Sequence, residues 1–354
     1  MDWEVTCWRV RCPRLGVCVQ CGAKAAQSTG GCRVMTSDTP NADVSVLVVS
    51  WNTCALTRAC LDSISGSVSD GTPVATIVVD NGSTDGSLEM LQARPDVELV
   101  ANDCNLGYAA AVNQGYLRSS GALVLLLNSD VELPSGSVQA LVSFLHARPE
   151  VAAVGPLYLN PDGSFQQHHY RLPTLPALMA SASAPLRHIP PFARSFRRYR
   201  MLDESFSAPR TVEQPSASCL LLRRDVLPAG YLLDEEFPIY FNDVELAHRL
   251  RSNGGQLWMT PESKVFHVHG ASTSQLGSNL RPQHLASLVR YLRRTRSPLA
   301  VLLFRAVVLG HVAGLRIVRG RQAAPPIREV LRALRGELGP LPQAPLRATT
   351  VSAS

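Results

Sequence analysis

The chain has 354 residues, 45% of them apolar and 18% charged, with a formal net charge of +6. That length suits one large α/β domain with or without appendages, and that balance excludes a wholly disordered chain. So modest a charge suits an anionic partner such as a nucleotide diphosphate or an acidic membrane surface without demanding one, and no nucleic-acid partner is expected.

Five of the nine cysteines, Cys7, Cys12, Cys18, Cys21 and Cys32, fall in the first 32 residues. Cys18 and Cys21 form a CxxC that could join Cys12 and Cys32 in a zinc knuckle, but the spacing is irregular and no histidine takes part. The segment is therefore read as a poorly ordered leader, with its boundary near residue 40 and Met35 as an alternative start. It has no apolar h-region, so it is not a secretory signal. The scattered Cys54, Cys60, Cys104 and Cys219 then fit a reduced, cytoplasmic compartment.

The β-branched run from Val44 to Ser50 predicts a strand buried on both faces. A helix from Thr53 to Ser65 follows, then a second strand from Ala75 to Val79. It ends in Asp80-Asn81-Gly82-Ser83-Thr84-Asp85, a loop rich in turn formers and caps, ahead of a helix through Leu88 and Leu91. Val97 to Val100 is a third strand and Tyr108 to Arg118 a helix. Ala122 to Leu127 is the most apolar strand, Ser137 to Ala147 a helix, and Ala152 to Val154 the start of another strand. This alternation with short connections predicts an α/β fold, a mostly parallel central sheet flanked by helices. In such sheets ligands bind beyond the carboxyl ends of the strands, where Asp80, Asn102 and Asp130 fall.

From Asn160 to Pro215 the pattern loosens, with many prolines and a basic run from Arg194 to Arg200, as in a long excursion over an active site. Regular structure resumes at Cys219 and continues through His267. Leu285 to Arg296 reads as a helix. Leu299 to Val318 is strongly apolar but interrupted by Arg305, His311 and Arg316, so a helix in the membrane interface fits better than a spanning one; packing against the main domain is the competing reading.

Four constellations carry possible chemistry. Asn128-Ser129-Asp130-Val131-Glu132 sets two carboxylates after the central strand, and hard cations take oxygen ligands, although acidic pairs there often cap turns. Asp80 could accept hydrogen bonds from a nucleobase or ribose, or serve as a loop cap. Asp243 opens an amphipathic helix, shielded enough for a base, in a position where capping aspartates are common. His267 and His269, two apart, share a face if the strand continues through both.

Together these pieces resemble the family-2 glycosyltransferases of the GT-A fold, and among them bacterial rhamnosyltransferase-like proteins. The resemblance rests on Val48-Val49-Ser50-Trp51-Asn52, Val78-Val79-Asp80-Asn81-Gly82-Ser83, Asn105-Leu106-Gly107-Tyr108 with Asn113-Gln114-Gly115, Leu127-Asn128-Ser129-Asp130, Tyr240-Phe241-Asn242-Asp243 and His267-Val268-His269-Gly270. It implies a domain over residues 41–280 with a helical, membrane-associating extension over 281–345. It implies a nucleotide-sugar pocket from Ser50, Asn52, Asp80, Asn81, Asn105, Gly107, Asn113 and Asn128. Asp130, with Glu132 and His267, would hold Mg²⁺ or Mn²⁺, His269 being the alternative to His267, and Asp243 would be the catalytic base. The reaction implied is a single displacement with inversion, moving a sugar, L-rhamnose from dTDP-rhamnose first among those considered, to a lipid-linked or cell-envelope glycan. The family usually has Glu before the base, where this chain has Asn242, and Asp where it has Glu245; this leaves acceptor identity open.

Two other functions fit less well. A sugar nucleotidyltransferase needs a glycine-rich basic loop after the first strand, and Trp51-Asn52-Thr53-Cys54 is neither. A non-catalytic sugar-nucleotide or glycan-binding module would have lost the metal acid or the base, and Asp130 and Asp243 are both present. The basic runs and the apolar C-terminal helix would hold the enzyme at the cytoplasmic membrane face, where anionic lipids attract arginine.

Overall fold

The computed structural model describes residues 43–68, 72–268, 270, 280–319, 325–339, 341 and 343. The cysteine-rich start, with its CxxC and Met35, lies outside the described residues, and so does His269. Residues 41–354 belong to one unit.

Strand β1 (Val44–Ser50) pairs in parallel with β2 (Val74–Asp80) on one side and β4 (Leu123–Asn128) on the other, and β2 pairs in parallel with β3 (Glu98–Ala101). Val44, Val46, Val48, Leu125 and Leu127 fill the core on one face of the sheet, and Leu47, Val124 and Leu126 on the other. Helices α1 (Cys54–Ser67), α2 (Ser87–Gln92), α3 (Tyr108–Arg118) and α4 (Ser137–His146) cover them. Both-face burial is why β1 and β4 read as unbroken apolar runs. The register sets Ser50 beside Asp80, Asp80 beside Ala101 and Val49 beside Asn128, so the strands end level.

Beyond β4 the sheet is mixed. Its order is β3-β2-β1-β4-β8-β6-β9-β5, with β7 (Arg210–Thr211) on β9. β8 (Cys219–Arg223) runs antiparallel to both β4 and β6 (Val151–Leu159). The cause is the excursion between β6 and β8: the chain leaves at the carboxyl edge, stays over it, and re-enters from it, which reverses β8. β9 (Gln256–His267) returns parallel to β6 and pairs antiparallel with the short β5 (Val131–Glu132).

The loosened pattern of the excursion conceals two helices, α5 (Leu175–Ala182) and α6 (Pro190–Tyr199). Both carry proline in their first turn, where the missing N–H costs nothing, so prolines that look like breakers are starters here. Helix α7 (Asn242–Ser252) leads into β9, and α8 (Arg281–Thr295), α9 (Pro298–Arg319) and α10 (Ile327–Leu334) follow. These last helices share a core with α5 and α7 through Leu178, Val244, Leu292, Phe304, Val308 and Val330.

Helix α9 is, by length and composition, sufficient to cross a membrane. Its polar interruptions, however, face protein: Arg305 donates to Leu334 O at 2.8 Å, Arg316 to Pro325 O at 3.2 Å, and His311 Nδ1 lies 3.4 Å from Ser183 Oγ. The opposite side, Leu299, Leu302, Leu303, Ala306, Gly310, Ala313 and Ile317, is exposed and free of charge. The packing reading thus holds for one face of the helix, and the other face is left exposed and apolar. Phe304→Ala, at 0% exposure, should destabilise the protein by about 3–5 kcal/mol in denaturant unfolding. Leu302→Ala, at 60% exposure, should change stability by less than about 0.5 kcal/mol.

Candidate active site

Past the level strand ends lies a cavity of about 530 Å³. Beside it, reaching its lining at Trp51, Asn81 and Asn105, is a polar network in which each loop braces the next; Asn52, Asp80 and Gly107 belong to this network and not to the lining. Asn52, with φ +52°, accepts from Thr84 N at 2.7 Å through Oδ1 and donates its own N–H to Ser83 Oγ at 3.0 Å. Asn81 donates to Asn105 Oδ1 and accepts from Leu106 N, and Asn105 Oδ1 also accepts from Gly107 N at 2.9 Å. Gly107, at φ +93°, is pressed against Pro238: an added Cβ would lie 3.0 Å from the proline ring. Only glycine meets both demands.

Asp80 is wholly buried at the end of β2. Its Oδ1 accepts from Ser83 N at 3.0 Å, while Oδ2 is buried and accepts no hydrogen bond in the structure. Burial pushes this carboxyl above the usual aspartate range, against the pull of the Ser83 hydrogen bonds. The Trp51 indole N–H, on the cavity wall, is likewise buried and unmatched. A stranded acceptor and a stranded donor at the strand ends are what a bound polar ligand would satisfy.

The metal-ligand candidates meet through β-pairing. Val131 of β5 sits opposite His267 of β9, which brings His267 Nε2 to 3.4 Å from Asp130 Oδ1. Gln166 fixes the imidazole: its Nε2 donates to Asn160 Oδ1 at 2.8 Å and His267 O at 3.1 Å, so its Oε1, 2.7 Å from His267 Nδ1, accepts. In the neutral ring the proton therefore sits on Nδ1 and Nε2 presents a lone pair beside Asp130, the tautomer a metal ligand needs. Among the described residues no three His, Cys, Asp or Glu side chains cluster as a metal site. The pair nevertheless fits a divalent cation whose remaining ligands are substrate oxygens and water.

Asp243, at the start of α7, stands half-buried on the cavity wall after Phe241, whose φ of +67° turns the chain sharply into the helix. Its Oδ2 accepts from Gln214 Nε2 at 3.0 Å. Burial drives the carboxyl above its ordinary range, while the Gln214 bond and the Val244 N–H draw it back. Asn242 also lines the cavity, and its Nδ2 donates to Ile239 O at 2.9 Å, so its amide holds the turn before the helix.

Several expected residues sit elsewhere. Ser50 Oγ is buried and joined to Thr57, the first link of a hydroxyl chain through Thr53 to Ser129. Ser50 therefore supports the Asp130 loop through Ser129 and does not line the cavity. Asn113 clamps the loop before α7: Oδ1 accepts from Leu232 N and Leu233 N, and Nδ2 donates to Leu233 O and Glu235. Its amide is thus committed to protein. Glu132 is exposed and off the cavity, because Val131 fills the core and alternation turns its neighbour outward. Asn128 does line the cavity, accepting from Tyr108 OH at 3.1 Å.

Gln166, His168, Tyr170, Arg200 and Gln214 come from the excursion, and sequence reasoning did not reach them. The one available signal was the polar, ring-rich run Gln166-Gln167-His168-His169-Tyr170 in otherwise proline-rich chain. Its two histidines part company: His168 lines the cavity, whereas His169 is buried against Pro156 O and burial lowers it to about 4.

Residues 45–227 match the family described as glycosyl transferase family 2. The chain belongs to glycosyl transferase family 2. It is 31% identical over 231 residues to the N-acetylglucosaminyl-diphospho-decaprenol L-rhamnosyltransferase of Mycobacterium tuberculosis, covering 61% of this chain and 74% of that one. It is 28% identical to the O-antigen biosynthesis protein RfbC of Myxococcus xanthus, over 65% of this chain and 17% of that protein. Its fold resembles the structure of GalNAc-T7 with UDP, GalNAc and Mn²⁺, at TM-score 0.51 and 15% identity over 72% of this chain and 48% of that one. The fold is GT-A, and the family makes the protein a sugar-transferring enzyme. Asn113→Ala, which strands two buried N–H groups, should lower stability by about 2–4 kcal/mol with the denaturant m-value unchanged.

Proposed function

We propose that the protein is an inverting glycosyltransferase that moves a sugar from a nucleotide diphosphate carrier to a hydroxyl of a lipid-linked or cell-envelope glycan. L-Rhamnose from dTDP-rhamnose is the donor put forward, supported by the likeness to the mycobacterial L-rhamnosyltransferase. The observation that carries the reading is a carboxylate of raised proton affinity, Asp243, facing the same cavity as the Asp130–His267 pair.

The acceptor hydroxyl gives its proton to Asp243. Its oxygen forms the bond to the anomeric carbon from the face opposite the leaving group, and the bond to the diphosphate breaks with its electron pair going to the phosphate oxygen. Asp80 and the Asn81–Asn105–Gly107 loop hold the nucleotide. Asp130 and His267 would hold Mg²⁺ or Mn²⁺, which when bound supplies positive charge for the departing diphosphate. The site works on the cytoplasmic side, where the four described cysteines remain thiols.

Peripheral membrane contact follows from α9. Its bare stripe, with Ile317 at 84% exposure, is flanked in sequence by the exposed Arg293 and Arg296, which suits a helix lying along an anionic bilayer. Replacing Leu302 and Leu303 by glutamate should at least halve sedimentation with anionic vesicles and leave the folded spectrum intact; unchanged sedimentation would remove the membrane role.

Catalysis is tested by titrating dTDP-rhamnose, UDP-glucose, UDP-galactofuranose and GDP-mannose with and without Mn²⁺. Asp130→Ala should lose metal-dependent donor binding, and Asp243→Asn should keep binding while turnover falls by about 10³-fold or more. Binding of no donor in the presence of metal would defeat the transferase reading. The base acts ionised, so kcat/KM should rise with pH through a limb above the usual aspartate range. Gln214→Met removes a bond that favours the ionised form and should move that limb to higher pH.

A further inference from the structure

The excursion carries seven arginines beyond the strand ends, and carboxylates neutralise three of them. Arg171 pairs with Glu204 and Glu213, Arg197 with Asp203, and Arg210 with Glu204. Arg200 is different. Its guanidinium lies over the Tyr170 ring, 4.7 Å from the centroid, and lines the cavity, with no ion pair to any described carboxylate.

The backbone fixes where this cation stands relative to the base. Tyr170 and Gln214 form a two-hydrogen-bond antiparallel bridge, each N–H donating to the other's carbonyl at 2.9 Å. Residues so paired lie about 5.5 Å apart with side chains on one face. Gln214 holds Asp243, and Tyr170 supports Arg200. The guanidinium and the base therefore both face the cavity from the side that the excursion braces through Tyr170 and Gln214, whereas Asp130 and His267 lie past the ends of β4 and β9.

We propose that Arg200, seated on Tyr170, binds the phosphate of a lipid-linked acceptor. This rests on the glycosyltransferase reading above and assigns a residue of the excursion to holding its acceptor. A guanidinium resting on an aromatic face is weakly hydrated and keeps its planar fork free, the geometry that grips phosphate. A hydroxyl delivered to Asp243 and a phosphate delivered to Arg200 are the two ends of one sugar phosphate. Helix α6 extends the same charge outward through exposed Arg194 and Arg198, and α6 packs on α5, which packs on the membrane-facing α9. A lipid-borne anion would meet this basic helix on its way to the cavity.

The test uses the full chain with Arg200→Gln and Arg200→Lys, each checked for an unchanged melting temperature. Geranyl diphosphate is titrated by calorimetry as a probe that needs no turnover, with Asp130→Ala as the donor-site control. Binding should weaken at least tenfold in Arg200→Gln, partly recover in Arg200→Lys, and persist in Asp130→Ala. Binding equal in wild type and Arg200→Gln, or lost only in Asp130→Ala, overturns the proposal. In transfer assays, KM for a lipid-diphosphate-linked sugar should rise at least tenfold in Arg200→Gln, with donor Kd, kcat and KM for the matching alkyl glycoside within twofold of wild type. A rise in donor Kd with acceptor KM unchanged assigns Arg200 to the donor and overturns the proposal. Probe binding lost in Arg200→Gln while wild type transfers to no acceptor would support the phosphate site and count against the transferase reading alone.

Discussion

Strands buried on both faces can carry no polar chemistry along their length, and the architecture follows from that constraint. β1 and β4 bury nearly every side chain, so each polar group the protein uses near them is displaced to the carboxyl edge. The parallel register then brings those edges level, with Ser50, Asp80 and Asn128 as near neighbours. Concentrating polar groups at a half-dry edge creates a second demand, because each must find a partner or a ligand. The loops meet it by bonding one another: Asn52 to the Ser83–Thr84 turn, Asn81 to Asn105 and Leu106. That mutual bracing leaves over Asp80 Oδ2 and the Trp51 indole N–H, which meet no partner among the described residues.

The excursion between β6 and β8 does more than cover the edge. By keeping the chain there over residues 160–218 it reverses β8, and it supplies the groups that tune the others. Gln166 sets the tautomer of His267, Gln214 restrains the proton affinity of Asp243, and Tyr170 holds Arg200 flat. In each case a neutral side chain fixes the state of a charged or titratable one. The carboxylates at the edge are electrostatically costly to bury, and these neutral partners let them stay in place without cancelling their charge.

The C-terminal helices extend the same logic to the outside. In α9 the polar residues turn inward to cap neighbouring carbonyls and the apolar ones turn out, the inverse of an ordinary surface helix. A helix so arranged is docked on one side and left bare on the other.

The sequence by itself determined the strand and helix alternation of the first half, the positions of Asp80 and Asp130 at strand ends, and the family. Apolar periodicity and strand-end loops are local signals, and six short motifs in order are hard to produce otherwise. It also located Asp243 at a helix start. Only the tertiary structure decided that Glu132 faces away, that Asn113 and Ser50 brace loops, and that Asn242 holds a turn, because residue type does not say which partner a side chain meets. The helices of the excursion stayed hidden behind their leading prolines. Arg200 and Gln214 carried no local mark of their roles, and Gln166 and Tyr170 only that of a polar, ring-rich run, since those roles arise from pairings between segments far apart in the chain, such as Tyr170 with Gln214 and Gln166 with His267. Those pairings exist only once burial of the shared core has fixed where the loops lie.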